Sequence, residues 1–245
     1  MMRAGTFTCR ASALRLDGGM LLNGATEPAV ANAQDSPCVA ETNSLTPTTG
    51  SSLLGSNSLL TPVSNLLNSL LGGGTTGTGG LGGIIGGLTG GTTGTGGILG
   101  GTLSVGLLTA TTTNNTTPGS QPAAGDSASA ASSVASLTLG AITTGVLQSS
   151  ATVTCTGTGT LTPTFTSSSS VANVNIPGVA QTNTSSPFMQ DITLLGQTLT
   201  VFLNRTITTP TSLTRRALEI DLNGSPLLVA GESQVDFTGN PCATA

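Results

Sequence analysis

The chain has no histidine, no lysine, no tryptophan and no tyrosine among its 245 residues. Each absence removes a chemistry. Without His there is no imidazole to act as a base near neutral pH, to complete a Ser-His-Asp arrangement or to bind a metal. Without Lys there is no amine nucleophile, and the glycines of 72–101 lead to no Lys that would make them a phosphate-binding loop. Without Trp and Tyr there is little aromatic surface for a sugar or base to stack on. Charge is scarce as well: 7% of residues are charged, the net charge is −4 and the pI is near 4.4. The six arginines (Arg3, Arg10, Arg15, Arg205, Arg215 and Arg216) form no basic stripe, so no nucleic-acid partner is expected. No stretch reaches the ~20 apolar residues of a membrane-spanning helix. None has the basic start, apolar run and small-residue cleavage site of a secretory signal. The reading is of a non-enzyme, with no catalytic residues, no cofactor and no metal.

What fills the chain is Gly, Thr, Ser, Leu and Ala. Apolar residues make up 36% and aromatics 2%, so the core must be aliphatic. Such a core buries less area per residue, at roughly 25 cal/mol per Å², and calls for covalent staples. Four cysteines are available: Cys9 and Cys38 near the start, Cys155 and Cys242 in the last third. No C-x-x-C pair is present, and without His a zinc site would need all four thiolates together. Of three possible pairings, Cys9–Cys38 and Cys155–Cys242 are preferred. The longer loop would contribute about 4–5 kcal/mol in the chain-entropy view. Disulfides place the protein in an oxidising compartment, extracellular or at the cell surface.

Periodicity suggests three regions. Residues 1–50 hold one short strand, Ala11–Leu16, with Asp17-Gly18-Gly19 as its turn and an irregular segment up to Cys38. This disulfide-held segment is expected to pack on a β domain. Residues 51–101 hold the one helical pattern, over 59–71, with Thr61 as N-cap, Pro62 at the first position and Gly72 as stop. A Gly/Thr/Leu-rich low-complexity tract follows as a flexible insertion. From 102 the pattern turns β: a strand at Thr102–Thr109, a polar loop over Thr111–Asp126, and alternation again at Thr198–Ile207. Ser132–Leu139 is echoed by Ser169–Ile176 about 37 residues later, too few copies for a solenoid but suggestive of duplicated strand units. Ala217–Leu222, Asn223-Gly224 and Leu227–Val229 give the strongest hairpin signal, with a type I′ turn. The fold expected over 102–245 is an all-β, antiparallel sandwich-like domain, with a β-solenoid as the alternative.

Three groups of residues could carry function. Every second residue from Thr152 to Thr166 is Thr, so on one strand Thr152, Thr154, Thr156, Thr158 and Thr160 would share a face with Thr162, Thr164 and Thr166, opposite Val153 and Cys155. A hydroxyl ladder can meet ice or glycans, although Thr also suits any solvated strand face, and Gly157, Gly159 and Pro163 interrupt the run. Glu219 and Asp221 share a strand face with Asn223 at the turn. Three oxygens fall short of a calcium shell, so a solvated charged face near Arg215 or Arg216 is expected instead. Sequons stand at Asn114, Asn115, Asn183, Asn204 and Asn223, and Thr/Pro-rich stretches at Thr46–Thr49 and Thr111–Pro118 could carry O-glycans.

Several segments together resemble the choice-of-anchor P family of bacterial, largely actinobacterial, exported proteins. These are Phe7-Thr8-Cys9-Arg10-Ala11-Ser12-Ala13-Leu14-Arg15, Glu27-Pro28-Ala29-Val30-Ala31-Asn32 leading to Pro37-Cys38, and Ala124-Gly125-Asp126-Ser127-Ala128 before Ser132-Ser133-Val134-Ala135-Ser136-Leu137. Leu199–Asn204, Arg216-Ala217-Leu218-Glu219 and Cys242 match more loosely. The resemblance implies an exported, surface-associated protein with no catalytic residues to carry over. The expectation is a secreted or cell-envelope structural or interaction protein whose partner and oligomeric state are undetermined, with a glycan- or ice-binding module on the Thr face as the alternative.

Overall fold

The structure is a computed structural model that describes residues 3–17, 26–34, 37–46, 103–116, 120–139, 142–176, 179–194 and 197–245. The helix expected at 59–71 and the Gly-rich tract lie outside the described residues. Strands in chain order are β1 (Arg3–Leu16), β2 (Thr26–Ala31), β3 (Glu41–Leu45), β4 (Leu103–Val105), β5 (Leu108–Asn115), β6 (Ser127–Val134), β7 (Leu137–Leu139) and β8 (Ile142–Thr144). They continue as β9 (Leu147–Thr156), β10 (Thr162–Ile176), β11 (Val179–Thr184), β12 (Phe188–Leu194), β13 (Gln197–Thr208), β14 (Ser212–Leu222) and β15 (Ser225–Thr244).

One sheet has six strands in the order β12-β13-β14-β15-β1-β2; the other has nine, in the order β3-β5-β6-β9-β10-β8-β7-β4 with β11 beside β10. Neighbours throughout pair antiparallel, so the chain forms an all-β sandwich, not the parallel coils of a solenoid. Strands β1, β14 and β15 face β5, β6, β9 and β10 across the core. The N-terminal strand is longer than Ala11–Leu16 and lies inside its sheet, between β15 and β2. The segment before Cys38 is not wholly irregular, since it holds β2. The strand expected at Thr102–Thr109 is divided by Gly106 and Leu107 into β4 and β5, and β5 continues to Asn115, into the first third of the stretch expected to be a polar loop.

The interior divides into two clusters. Large aliphatics such as Leu14, Leu108, Leu147, Leu218 and Ile220 fill one. The other is built from Phe7, several alanines, Val153, Val235 and both disulfides. Cys9–Cys38 and Cys155–Cys242 are bonded as preferred, and no described cysteine is free. Near the join, three buried hydroxyls meet: Ser149 with Ser233 at 2.7 Å, and Ser132 with Ser149 at 2.9 Å and with Ser233 at 3.3 Å. Each satisfies another, which is how polar groups are tolerated in a core.

The two clusters follow from a phase change in both sheets. In β14, Leu213 and Ala217 point inward, and so do Leu218 and Ile220. A regular strand alternates faces, so the alternation slips by one at Ala217–Leu218. The register sets Ala217 between Gly231 of β15 and Asn204 of β13, with Ala13 of β1 beyond Gly231. Gly231 and Asn204 have φ of 69° and 55°, and a Cβ on Gly231 would lie 3.0 Å from that of Ala217. A left-handed residue in this row turns the strands over, as a β-bulge does. In the nine-stranded sheet the slip occurs twice, at the echo seen in the sequence. Val134 and Leu137 are both buried, as are Val171 and Val174, with Asn173 at φ 51°. Opposite them, Gly106 donates to the Ser136 carbonyl at 2.8 Å and Gly145 to that of Ala172 at 2.7 Å. The repeat is therefore a duplicated strand pair that changes phase in its middle.

Candidate functional site

In β9 the residues Gln148, Ser150, Thr152, Thr154 and Thr156 face outward, and Leu147, Ser149, Ala151, Val153 and Cys155 face the core. Antiparallel partners share a face, which sets Thr166 beside Thr152, Thr164 beside Thr154 and Thr162 beside Thr156. On the other side Ser129 and Ser127 of β6 flank Thr152 and Thr154, and Thr113 and Asn115 of β5 continue both rows. Neighbouring hydroxyls bond across the strands: Thr156 with Thr164 at 2.6 Å, Ser150 with Ser168 at 2.8 Å and Thr113 with Ser129 at 2.5 Å. The eight threonines do not lie along one strand. Gly157 and Gly159, with φ of 127° and 90°, reverse the chain, so Thr158 and Thr160 sit in the turn and the rest form two facing columns. No charged residue occurs anywhere in β5, β6, β9 or β10. Next to the columns a shallow groove of about 430 Å³ opens, lined by Thr109, Thr111, Ser133, Gln148, Ser150 and Ser168. The small Ala131 also borders it.

The outer face of the six-stranded sheet is the opposite in character. Glu232 accepts from Arg15 and Arg216, both at 2.6 Å, and from Arg10 at 3.4 Å. Arg10 also pairs with Glu27. Glu219 accepts from Arg205 at 2.8 Å and Arg216 at 2.9 Å, and the Arg205 guanidinium lies 4.4 Å from the Phe202 ring centre. The two central carboxylates are buried, with side chains 1% and 3% exposed. The face is thus charged, as expected, but it is not solvated. Asp221 lies beside this network, 3.9 Å from Arg205. Glu219 Oε2 and Asp221 Oδ1 are buried and accept from no donor among the described residues. Burial and the neighbouring Glu219 charge raise the Asp221 pKa from 3.8 to about 6, against the pull of Arg205 and Arg216. A proton held on Asp221 and donated to Glu219 accounts for both bare oxygens. At the turn, Asn223 Oδ1 accepts from the Thr198 N–H at 2.9 Å.

Arg216, not Arg215, belongs to this cluster. By strand parity Arg215 would share a face with Glu219, but the slip at Ala217 turns Arg215 into the sandwich and Arg216 out. Glu232 has no motif that announces it. The Asn223-Gly224 turn, with φ of 50° and 80°, is the expected type I′ and registers Leu222 with Ser225. Continued evenly, that register would set Arg216 opposite Gly231. The irregularity between Ile220 and Asp221 moves the partner to Glu232. Among the sequons, Asn204 is fully buried and cannot be a glycan acceptor in the folded chain, whereas Asn114, Asn115, Asn183 and Asn223 are exposed. Among the described residues no helix is long and apolar enough to cross a membrane. Compared with protein-family models, curated proteins and solved structures, the chain matches none.

Proposed function

We propose that this protein is a non-enzymatic interaction module of the secreted or cell-envelope compartment, and that its contact surface is the uncharged hydroxyl face of the nine-stranded sheet. The observation that carries the reading is that face itself: four adjacent strands without a charge, presenting Ser, Thr, Asn and Gln in rows beside a shallow groove. Such a surface offers many weak donors and acceptors and no steering field, which suits a neutral, hydroxyl-rich polymer such as a polysaccharide. Export is supported by the two disulfides, which an oxidising compartment maintains, and by the resemblance to exported surface proteins. Ice is the second reading. The paired columns Thr152/Thr166 and Thr154/Thr164 repeat about every 4.8 Å across strands and about 6.8 Å along them, from strand geometry.

Co-sedimentation with insoluble neutral polysaccharides tests the first reading and thermal hysteresis the second. Binding is expected to be insensitive to salt, because no exposed ion pair contributes. Ala131→Arg and Ser150→Arg, which place bulk and charge at the groove, are expected to abolish polysaccharide binding. Thr154→Lys and Thr164→Lys are expected to abolish hysteresis. Wild-type protein inactive in both assays would remove the hydroxyl face as the contact surface.

A further inference from the structure

Arg215 differs from the other five arginines of the chain. Arg3 pairs with Asp126, Arg10 with Glu27 and Glu232, Arg15 with Glu232, Arg205 with Glu219, and Arg216 with Glu219 and Glu232. Arg215 is more than nine-tenths buried and meets no carboxylate among the described residues. Its Nε donates to Ser169 Oγ at 2.7 Å, and Nη1 donates to Thr206 Oγ1. Ser169 Oγ in turn donates to Asn204 Oδ1 at 2.6 Å, and Asn204 Nδ2 donates to the carbonyls of Thr184 and Ser186 at 3.1 and 3.0 Å. Every acceptor in this relay is neutral. Burial is the one influence on the Arg215 pKa and it acts downward, yet a guanidinium stays charged throughout the accessible pH range.

A buried cation without a counter-charge is costly, and natural interiors pair such groups. Two hydrogen bonds to neutral hydroxyls do not by themselves call for a charged donor. The arrangement also leaves donors over. Among the described residues Nη2 has no acceptor, and the Thr206 hydroxyl, which accepts from Nη1, keeps its own proton to give. Thr206 is exposed, so its hydroxyl opens to solvent where β13 and β14 approach β10. We propose that Arg215 and Thr206, held in place by Ser169, bind an oxyanion group (carboxylate, sulfate or phosphate) carried by a partner molecule. The site is separate from the hydroxyl face and independent of it.

The test uses the full chain. Sulfate, phosphate and acetate are titrated against chloride at matched ionic strength, following the Arg215 Nε–Hε signal by NMR together with the thermal midpoint. A saturable shift of that signal with one of the three anions is expected, and the tightest of them names the group. Arg215→Met is expected to abolish the saturable rise in midpoint, and Thr206→Val to weaken binding about tenfold, the loss of one charge-assisted contact. Should Arg215→Met fail to fold, Thr206→Val, altered only at an exposed side chain, carries the comparison. An Arg215 signal that saturates with none of the anions, or equal affinity in wild type and Thr206→Val, overturns the proposal.

Discussion

At the scale of single residues, the informative positions are those where charge is held out of water. Glu219 and Asp221 were legible as a pair from their spacing on one strand, because alternation fixes which side chains share a face. Their state was not legible. It depends on burial and on arginines from β13 and β14, which only the packed sheet supplies. The raised Asp221 pKa has a definite consequence for stability. The folded state holds this proton more tightly than the unfolded chain does, so its stabilising contribution is complete below pH 3.8 and is lost as pH rises through about 6. Asp221→Asn has no carboxyl to titrate. It is expected to flatten the pH dependence of the urea midpoint across that window and to be more stable than wild type at neutral pH. An unchanged slope would sink the reading of Asp221 as the holder of that proton.

At the scale of elements, the hairpin at Asn223-Gly224 and the strand nature of β9, β10 and β13 could be read from turn chemistry and alternation. The phase slips could not. Ala13, Ala217 and Ala135 carry no mark of them, and Asn204 looked like a glycan acceptor when its use is a left-handed backbone and a side-chain amide that donates to two carbonyls. The duplicated unit offers a direct check. Leu107 and Val146 sit at matching slips and are 44% and 42% exposed, while their neighbours Leu108 and Leu147 are fully buried. Leu108→Ala and Leu147→Ala are each expected to cost about 2–5 kcal/mol, and Leu107→Ala less than about 0.5 kcal/mol. Comparable losses at Leu107 and Leu108 in chemical denaturation would contradict the slip.

At the scale of the molecule, stability rests on an aliphatic core with few rings and two covalent links. Cys9–Cys38 ties β1 to the residues before β3, and Cys155–Cys242 joins the two sheets near the chain end, with sequence separations of 29 and 87. Replacing both cysteines of the longer link by Ala is expected to cost about 4.5 kcal/mol, and of the shorter about 3.5 kcal/mol, if loop entropy dominates. Denaturant midpoints of the two double variants, read against wild type under non-reducing conditions, test the order. A larger loss from the Cys9–Cys38 pair would point to native packing around that link as the controlling factor.

The missing His, Lys, Trp and Tyr, the Thr alternation and the spacing of four cysteines determined by themselves an aliphatic, disulfide-stapled β protein with hydroxyl faces. These are local properties: which atoms are present, and which side of a strand each occupies while alternation holds. The tertiary structure alone decided where alternation fails. One row, Ala13–Gly231–Ala217–Asn204, sends Arg216 out to Glu219 and Glu232 and turns Arg215 inward, because left-handed residues in that row reverse the faces of the strands beyond it. The one arginine that meets no carboxylate among the described residues is therefore set by backbone conformation in neighbouring strands, which strand parity in its own segment cannot reveal.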